Sequence, residues 1–123
     1  MWLIIEALFY LFRTDLLMYP RGIAALHVAL TELSPSSRSR KGYRVEQICR
    51  AADIASVLYT KRALCLQRSA ATTMLLRRYG FAAELVIGAR ILPFKSHAWV
   101  ELDGVVLNDK PYTPNVYSEL ERC

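Results

Sequence analysis

Several absences narrow this chain before any motif does. There is no CxxC pair, and there are only three cysteines, Cys49, Cys65 and Cys123. An odd, widely spaced set argues against a disulfide scaffold and a structural zinc site, and a reducing cytoplasm is its simplest home. No apolar run is long enough to cross a bilayer. The strongest, Trp2 to Phe12, is broken by Glu6 and falls short of the roughly 20 residues a spanning helix needs. It has no basic leading segment and no small-residue cleavage site, so it is not a signal peptide. No internal repeat occurs. With 54% hydrophobic and only 22% charged residues, the composition excludes a disordered chain.

A chain of 123 residues fits a single domain, residues 1–123, with a substantial buried core. The apolar fraction is high for a small domain, so some apolar surface is expected to meet a partner. The net charge of +5 would favour acidic partners, but the positive residues cluster at Arg38 to Arg44 and Lys61 to Arg78. The first cluster reads as a solvated linker. In the second, Arg77 and Arg78 fall in the last turn of a helix, where cations complement the macrodipole. The charge therefore does not point to nucleic acid.

Residues 1–33 read as an N-terminal helical region. Ile5, Leu8, Phe9, Phe12 and Leu16 recur at helical spacing over residues 2–18, and Leu3, Tyr10 and Leu17 make the other side apolar too. Such a helix is buried on most sides or docks on a partner. Tyr19-Pro20-Arg21-Gly22 breaks it. A short helix over Ile23 to Leu33 carries His27, which reads as a structural histidine on an apolar face. Residues 34–43 are a linker by composition, and 44–110 form the core. Val45, Ile48, Ala52 and Ala55 mark an amphipathic helix, within which Cys49 reads as a small buried hydrophobe. The next helix opens at Cys65 and stops at Arg77-Arg78-Tyr79-Gly80. Glu84 to Gly88 reads as a strand, and residues 111–123 as a tail. Helices followed by strands imply an α+β fold with an antiparallel sheet.

The chemistry concentrates in two stretches, Cys65-Leu66-Gln67-Arg68-Ser69 and the hairpin Ser96 to Asp109. A cysteine at a helix N-terminus, with Lys61 and Arg62 upstream, sits where a thiolate is favoured. His97 opens a strand on which His97, Trp99 and Glu101 share one side. A thiol, an imidazole and a carboxylate are the parts of an activated nucleophile. The third part depends on the turn. If Asp103-Gly104 is a two-residue type I′ turn, Leu102 pairs with Val105 and Asn108 falls on the histidine's side. If Leu102-Asp103-Gly104 is a three-residue loop, His97 stands opposite Asp109. Apolar patterning favours the first register and a Cys-His-Asp arrangement the second. Backbone N–H groups at the helix start offer an oxyanion site, and Gln67 is a side-chain candidate. Glu84, Arg68 and Glu101 are weighed as substrate contacts but read as ordinary polar or salt-bridging residues.

Cys65-Leu66-Gln67-Arg68-Ser69, Leu75-Leu76-Arg77-Arg78-Tyr79-Gly80, Pro93-Phe94-Lys95-Ser96-His97-Ala98-Trp99-Val100-Glu101, Gly104 and Asn108-Asp109 together resemble the transglutaminase-like cysteine peptidases of bacterial lasso-peptide biosynthesis. The resemblance implies a papain/transglutaminase-like core, with the Cys-bearing helix packed on a small antiparallel sheet behind N-terminal helices. It implies Cys65 as nucleophile, His97 as base and Asp109 as orienting acid, and so the three-residue loop. It implies removal of the leader from a ribosomally made precursor peptide, in the cytoplasm, without metal or cofactor. Implied partners are the precursor, a separate leader-recognition protein, to which the apolar first helix offers a docking surface, and the ATP-dependent macrolactam synthetase that acts on the freed amine. Nucleic acid and an integral membrane segment are not among them. The alternatives are an acyltransferase using an amine acceptor and a non-catalytic peptide-binding module.

Overall fold

The computed structural model describes residues 2–18, 28–30, 32, 43–59, 65–91, 94–107, 109 and 111–123. His27, Lys61, Arg62, Asn108 and residues 34–42 of the linker lie outside them.

Helix α1 spans Trp2–Met18. Its two apolar sides have different fates. Leu3, Ala7, Tyr10 and Leu11 are buried, whereas Trp2, Ile5, Phe9, Phe12 and Leu16 are exposed. Burial on most sides therefore does not hold. The helix packs on α2 (Val45–Leu58) and α3 (Cys65–Arg78), and two neighbours cover only one face of a third helix. Glu6, the charge that interrupts the apolar run, lies on the buried side. It accepts a hydrogen bond from the Tyr79 hydroxyl and pairs with Arg78.

Small residues set the helix spacing. Ala51, Ala52 and Ala55 of α2 and Ala70 and Ala71 of α3 are all buried, which lets the backbones approach closely. Larger anchors fill the remaining space: Ile48, Met74 and Leu75 are at most 1% exposed. Each such side chain contributes about 1.5–3 kcal/mol by leaving water. Cys49 is partly buried against this core, as its place in the periodicity implies. Burial first, then Asp53 and Glu46, push its thiol up to about 11. Helix α3 ends as its sequence specifies. Gly80 takes a φ of 92°, and the Phe81 and Gly80 N–H groups donate to the Leu76 and Arg77 carbonyls at 3.0 and 3.1 Å.

The strands are β1 (Glu84–Arg90), β2 (Lys95–Leu102), β3 (Val105–Val106) and β4 (Ser118–Arg122), with the single-turn helix α4 (Thr113–Val116) before the last. They form one antiparallel sheet in the order β3-β2-β1-β4. The fold is therefore α+β, as expected. The C-terminal tail is a correction: residues 118–122 pair with β1, and Cys123 continues the ladder to Leu85 with bonds of 2.7 and 2.9 Å. Without this strand β1 would be an unprotected edge.

One sheet face carries Leu85, Ala98 and Val100, all buried in the helical core. The other carries Gly88 and Val86 beside His97, Trp99 and Glu101, in the register Gly88↔His97 and Val86↔Trp99. Helix α3 lies on the first face, where the Ser69 hydroxyl donates to the Ala98 carbonyl at 3.1 Å.

Candidate active site

The turn is resolved in favour of the tighter register. Leu102 pairs with Val105 and Glu101 with Val106, and Asp103 and Gly104 both have positive φ, 52° and 79°. This is a two-residue type I′ turn, so the three-residue loop is corrected. Strand β3 ends at Val106, and the Leu107 N–H bond to the Val100 carbonyl, 3.0 Å, continues the ladder one residue further. Asp109, which lies outside the residues of β3, reaches His97 all the same, and its Oδ2 is hydrogen-bonded to His97 Nε2. The two side chains thus meet without the register that was expected to bring them together, because alternation applies only within the paired strand.

Cys65 is the first residue of α3, and its side chain lies outside the described residues. Its backbone position follows from the helix direction. The C-terminal end of α3 is tied to the start of β1 by Arg77 Nε, which donates to the Ala83 carbonyl at 2.9 Å. The start of β1 pairs with the end of β2, Glu84 with Glu101. Ser69, one turn into α3, meets Ala98, the neighbour of His97. The opening of α3 therefore lies at the His97 end of the sheet, where the positive end of the helix dipole favours negative charge.

His97 and Asp109 are 20% and 24% exposed, so the pair is shielded without being sealed. Beside it is a cavity of about 250 Å³, walled on the far side by Tyr112, Thr113, Val116 and Tyr117. The imidazole stacks on two rings: Trp99 at 6.2 Å and 28°, and Tyr117 at 5.2 Å and 29°. Tyr117 was hidden by reading residues 111–123 as a tail. The signal that could have found it is the absence of any proline or glycine after Pro114, which leaves Tyr117 to Arg122 free to extend a strand.

The remaining candidates have other duties. Gln67 donates from Nε2 to Asp15 Oδ1 at 2.7 Å, and the Tyr59 hydroxyl donates to Oδ2 of the same residue at 3.1 Å. Gln67 thus links α3 to α1. Glu101 is buried, accepting from Trp99 Nε1 at 2.7 Å and from Arg122 Nη1 at 3.1 Å. Glu84 accepts from the same Arg122 nitrogen at 3.3 Å. Among the described residues no group of three or more His, Cys, Asp or Glu side chains could hold a metal ion, and no helix is long and apolar enough to cross a membrane.

A family model described as the transglutaminase-like superfamily matches residues 8–122. One curated relative is the microcin J25-processing protein McjB of Escherichia coli, 49% identical over 47 residues. That stretch is 38% of this chain and 23% of the relative. No solved structure matches the chain.

Proposed function

Because the chain belongs to the transglutaminase-like superfamily, we propose that it is a cysteine peptidase that removes the leader from a ribosomally synthesised lasso-peptide precursor, together with a separate leader-binding protein. The observation that carries this reading is the His97–Asp109 pair at the end of the sheet where the cysteine-bearing helix opens. The similarity to a protein named for processing microcin J25 supports the choice of substrate.

In this reading His97 takes the proton of the Cys65 thiol, and Asp109 holds the imidazole in orientation and balances its charge as it becomes imidazolium. The thiolate adds to the scissile carbonyl at the leader–core junction. Backbone N–H groups at the opening of α3 stabilise the oxyanion. Collapse breaks the C–N bond, His97 returns the proton to the leaving amine, and the core peptide departs with a free N-terminus. Water, deprotonated by His97, then hydrolyses the thioester, releasing the leader carboxylate and restoring the thiol. No step calls for a metal or cofactor.

The test is incubation with a precursor peptide and its leader-binding protein, followed by mass spectrometry. Separate leader and core masses are expected, with Cys65→Ala slower by about 10³-fold or more. Unchanged cleavage by Cys65→Ala would sink the reading. An amide adduct with an added amine, in place of free leader, would make the chain an acyltransferase.

A further inference from the structure

The motif residues account for one face of the His97 ring pair, but not for what lies against the imidazole from outside the hairpin. We propose that Tyr117 is a positioning residue for His97. Its ring fixes the plane of the imidazole so that Nε2 stays on Asp109 and Nδ1 is presented for proton transfer.

Three observations converge on this. First, Tyr117 stacks on His97 at 5.2 Å and 29°, closer than Trp99 at 6.2 Å, and Tyr117 and Trp99 approach each other at 6.1 Å. The three rings form one layer, and aromatic contacts of this kind orient rings as well as bury them. Second, Tyr117 is fixed independently of the histidine. Its N–H donates to the Thr113 carbonyl at 3.2 Å, and the next residue, Ser118, pairs with Ala89. The Arg90 guanidinium lies over the Tyr117 ring at 5.8 Å, and Arg90 Nε is buried with no hydrogen-bond partner among the described residues. A cation engaged face-on with a ring in this way is a cation–π contact. Third, the sheet is cut back to admit the layer. A Cβ on Gly88, the residue paired with His97, would lie 2.8 Å from Trp99 Cη2 and 3.0 Å from the Ser118 carbonyl oxygen. Gly88 is thus what lets Trp99 and the start of β4 close over this end of the sheet.

A single hydrogen bond to Asp109 leaves the imidazole able to swing about that bond. Rings on its flank remove that freedom, and small misplacements of a reacting group are costly in rate. The role is one of geometry, since Tyr117 takes no part in the proton transfers.

The kinetic arm of the test rests on the peptidase reading; the spectroscopic arm does not. The chain has two histidines, so ¹⁵N-histidine labelling resolves His97 once a His27→Gln variant assigns the other. Tyr117→Leu is expected to change the His97 tautomer balance and broaden its ring signals, while Tyr117→Phe leaves both as in the wild type. With precursor peptide, Tyr117→Leu is expected to lower kcat about 10-fold with KM nearly unchanged, and Tyr117→Phe to remain within about 2-fold of the wild type. Arg90→Leu, which leaves all three rings in place, is expected to shift the His97 signals in the same direction by less. It carries the test if Tyr117→Leu does not fold. Wild-type His97 signals in both Tyr117→Leu and Arg90→Leu overturn the proposal, as does a Tyr117→Phe variant as impaired as Tyr117→Leu. Altered His97 signals in a chain that cleaves no precursor would uphold the positioning role and count against the peptidase reading alone.

Discussion

Strand β2 presents His97 and Glu101 on the same sheet face, four residues apart, and each belongs to a carboxylate-centred cluster. At one end, Glu101 is 6% exposed, and its oxygens accept from Trp99 and from Arg122. Arg122 is in turn gripped by Glu119, whose hydrogen bond, more than that of Glu101, holds the guanidinium above its ordinary value. Donors and acceptors match, and nothing there is placed to move a proton. At the other end, Asp109 is bonded to a titratable ring that retains a second nitrogen and lies beside a cavity. The two ends share strand, face and chemical ingredients. The kind of donor separates them: a carboxylate held by permanently charged or non-titrating donors supports the fold, and one held by an imidazole at an open site can support chemistry.

The contrast is sharpest in paired amide substitutions. Asp109→Asn is expected to lower kcat/KM for precursor cleavage by about 10²–10⁴-fold with little change in thermal midpoint, because an amide neither balances the imidazolium nor enforces the tautomer. Glu101→Gln is expected to do the reverse. It should destabilise the chain by about 1–3 kcal/mol in denaturant titration, since one oxygen becomes an amide facing a donor, and leave cleavage within about 10-fold. Opposite results for the two variants would erase the distinction between the ends.

Much of this was legible in advance, for reasons that differ by element. The α2 pattern of Val45, Ile48, Ala52 and Ala55 and the Arg77-Arg78-Tyr79-Gly80 stop are local codes, and the structure follows both. The shared side of His97, Trp99 and Glu101 follows from alternation alone. The turn at Asp103-Gly104 departs from the three-residue loop that the family resemblance implies, because apolar patterning and an Asp-Gly dipeptide, the strongest local hairpin signal, decide the register. Reach to His97 needed no ladder register once the chain had left β3. Strand β4 was missed because an edge strand of polar residues carries no apolar alternation, and its pairing with β1 is a long-range fact. The inward side of α1 was equally hidden, since both sides are apolar and only the positions of α2 and α3 decide between them.

A subtler substitution tests how far the aromatic layer ties the two ends together. Gly88→Ala adds a methyl group 2.8 and 2.9 Å from two Trp99 ring carbons and 3.0 Å from the Ser118 carbonyl oxygen. Overpacking at a rigid ring and a paired backbone is expected to cost about 1–3 kcal/mol of stability in denaturant titration. Trp99 touches both His97 and Glu101, so activity should fall as well, by more than Glu101→Gln and far less than Asp109→Asn. A stable Gly88→Ala variant with wild-type cleavage would show that the two ends are independent.

The smallest effect concerns a third cluster, away from β2, in which a buried carboxylate is held by a phenol and a permanently charged guanidinium. The Tyr79 hydroxyl donates to buried Glu6, and burial first, then that hydrogen bond, raises the phenol from 10.0 to about 12. The folded state therefore keeps a proton that the unfolded chain gives up first. Stability from this group is fully present below pH 10 and is lost as pH rises through about 12, with a slope of at most about 1.4 kcal/mol per pH unit. Tyr79→Phe removes the proton and its linkage together. Denaturant titrations of both proteins should show a constant stability difference below pH 10, shrinking as the pH approaches 12. A difference that stayed flat across that window would mean that Glu6 does not hold the Tyr79 proton. The buried carboxylate of α1 would then need a different account from Glu101, with Arg78 alone balancing it.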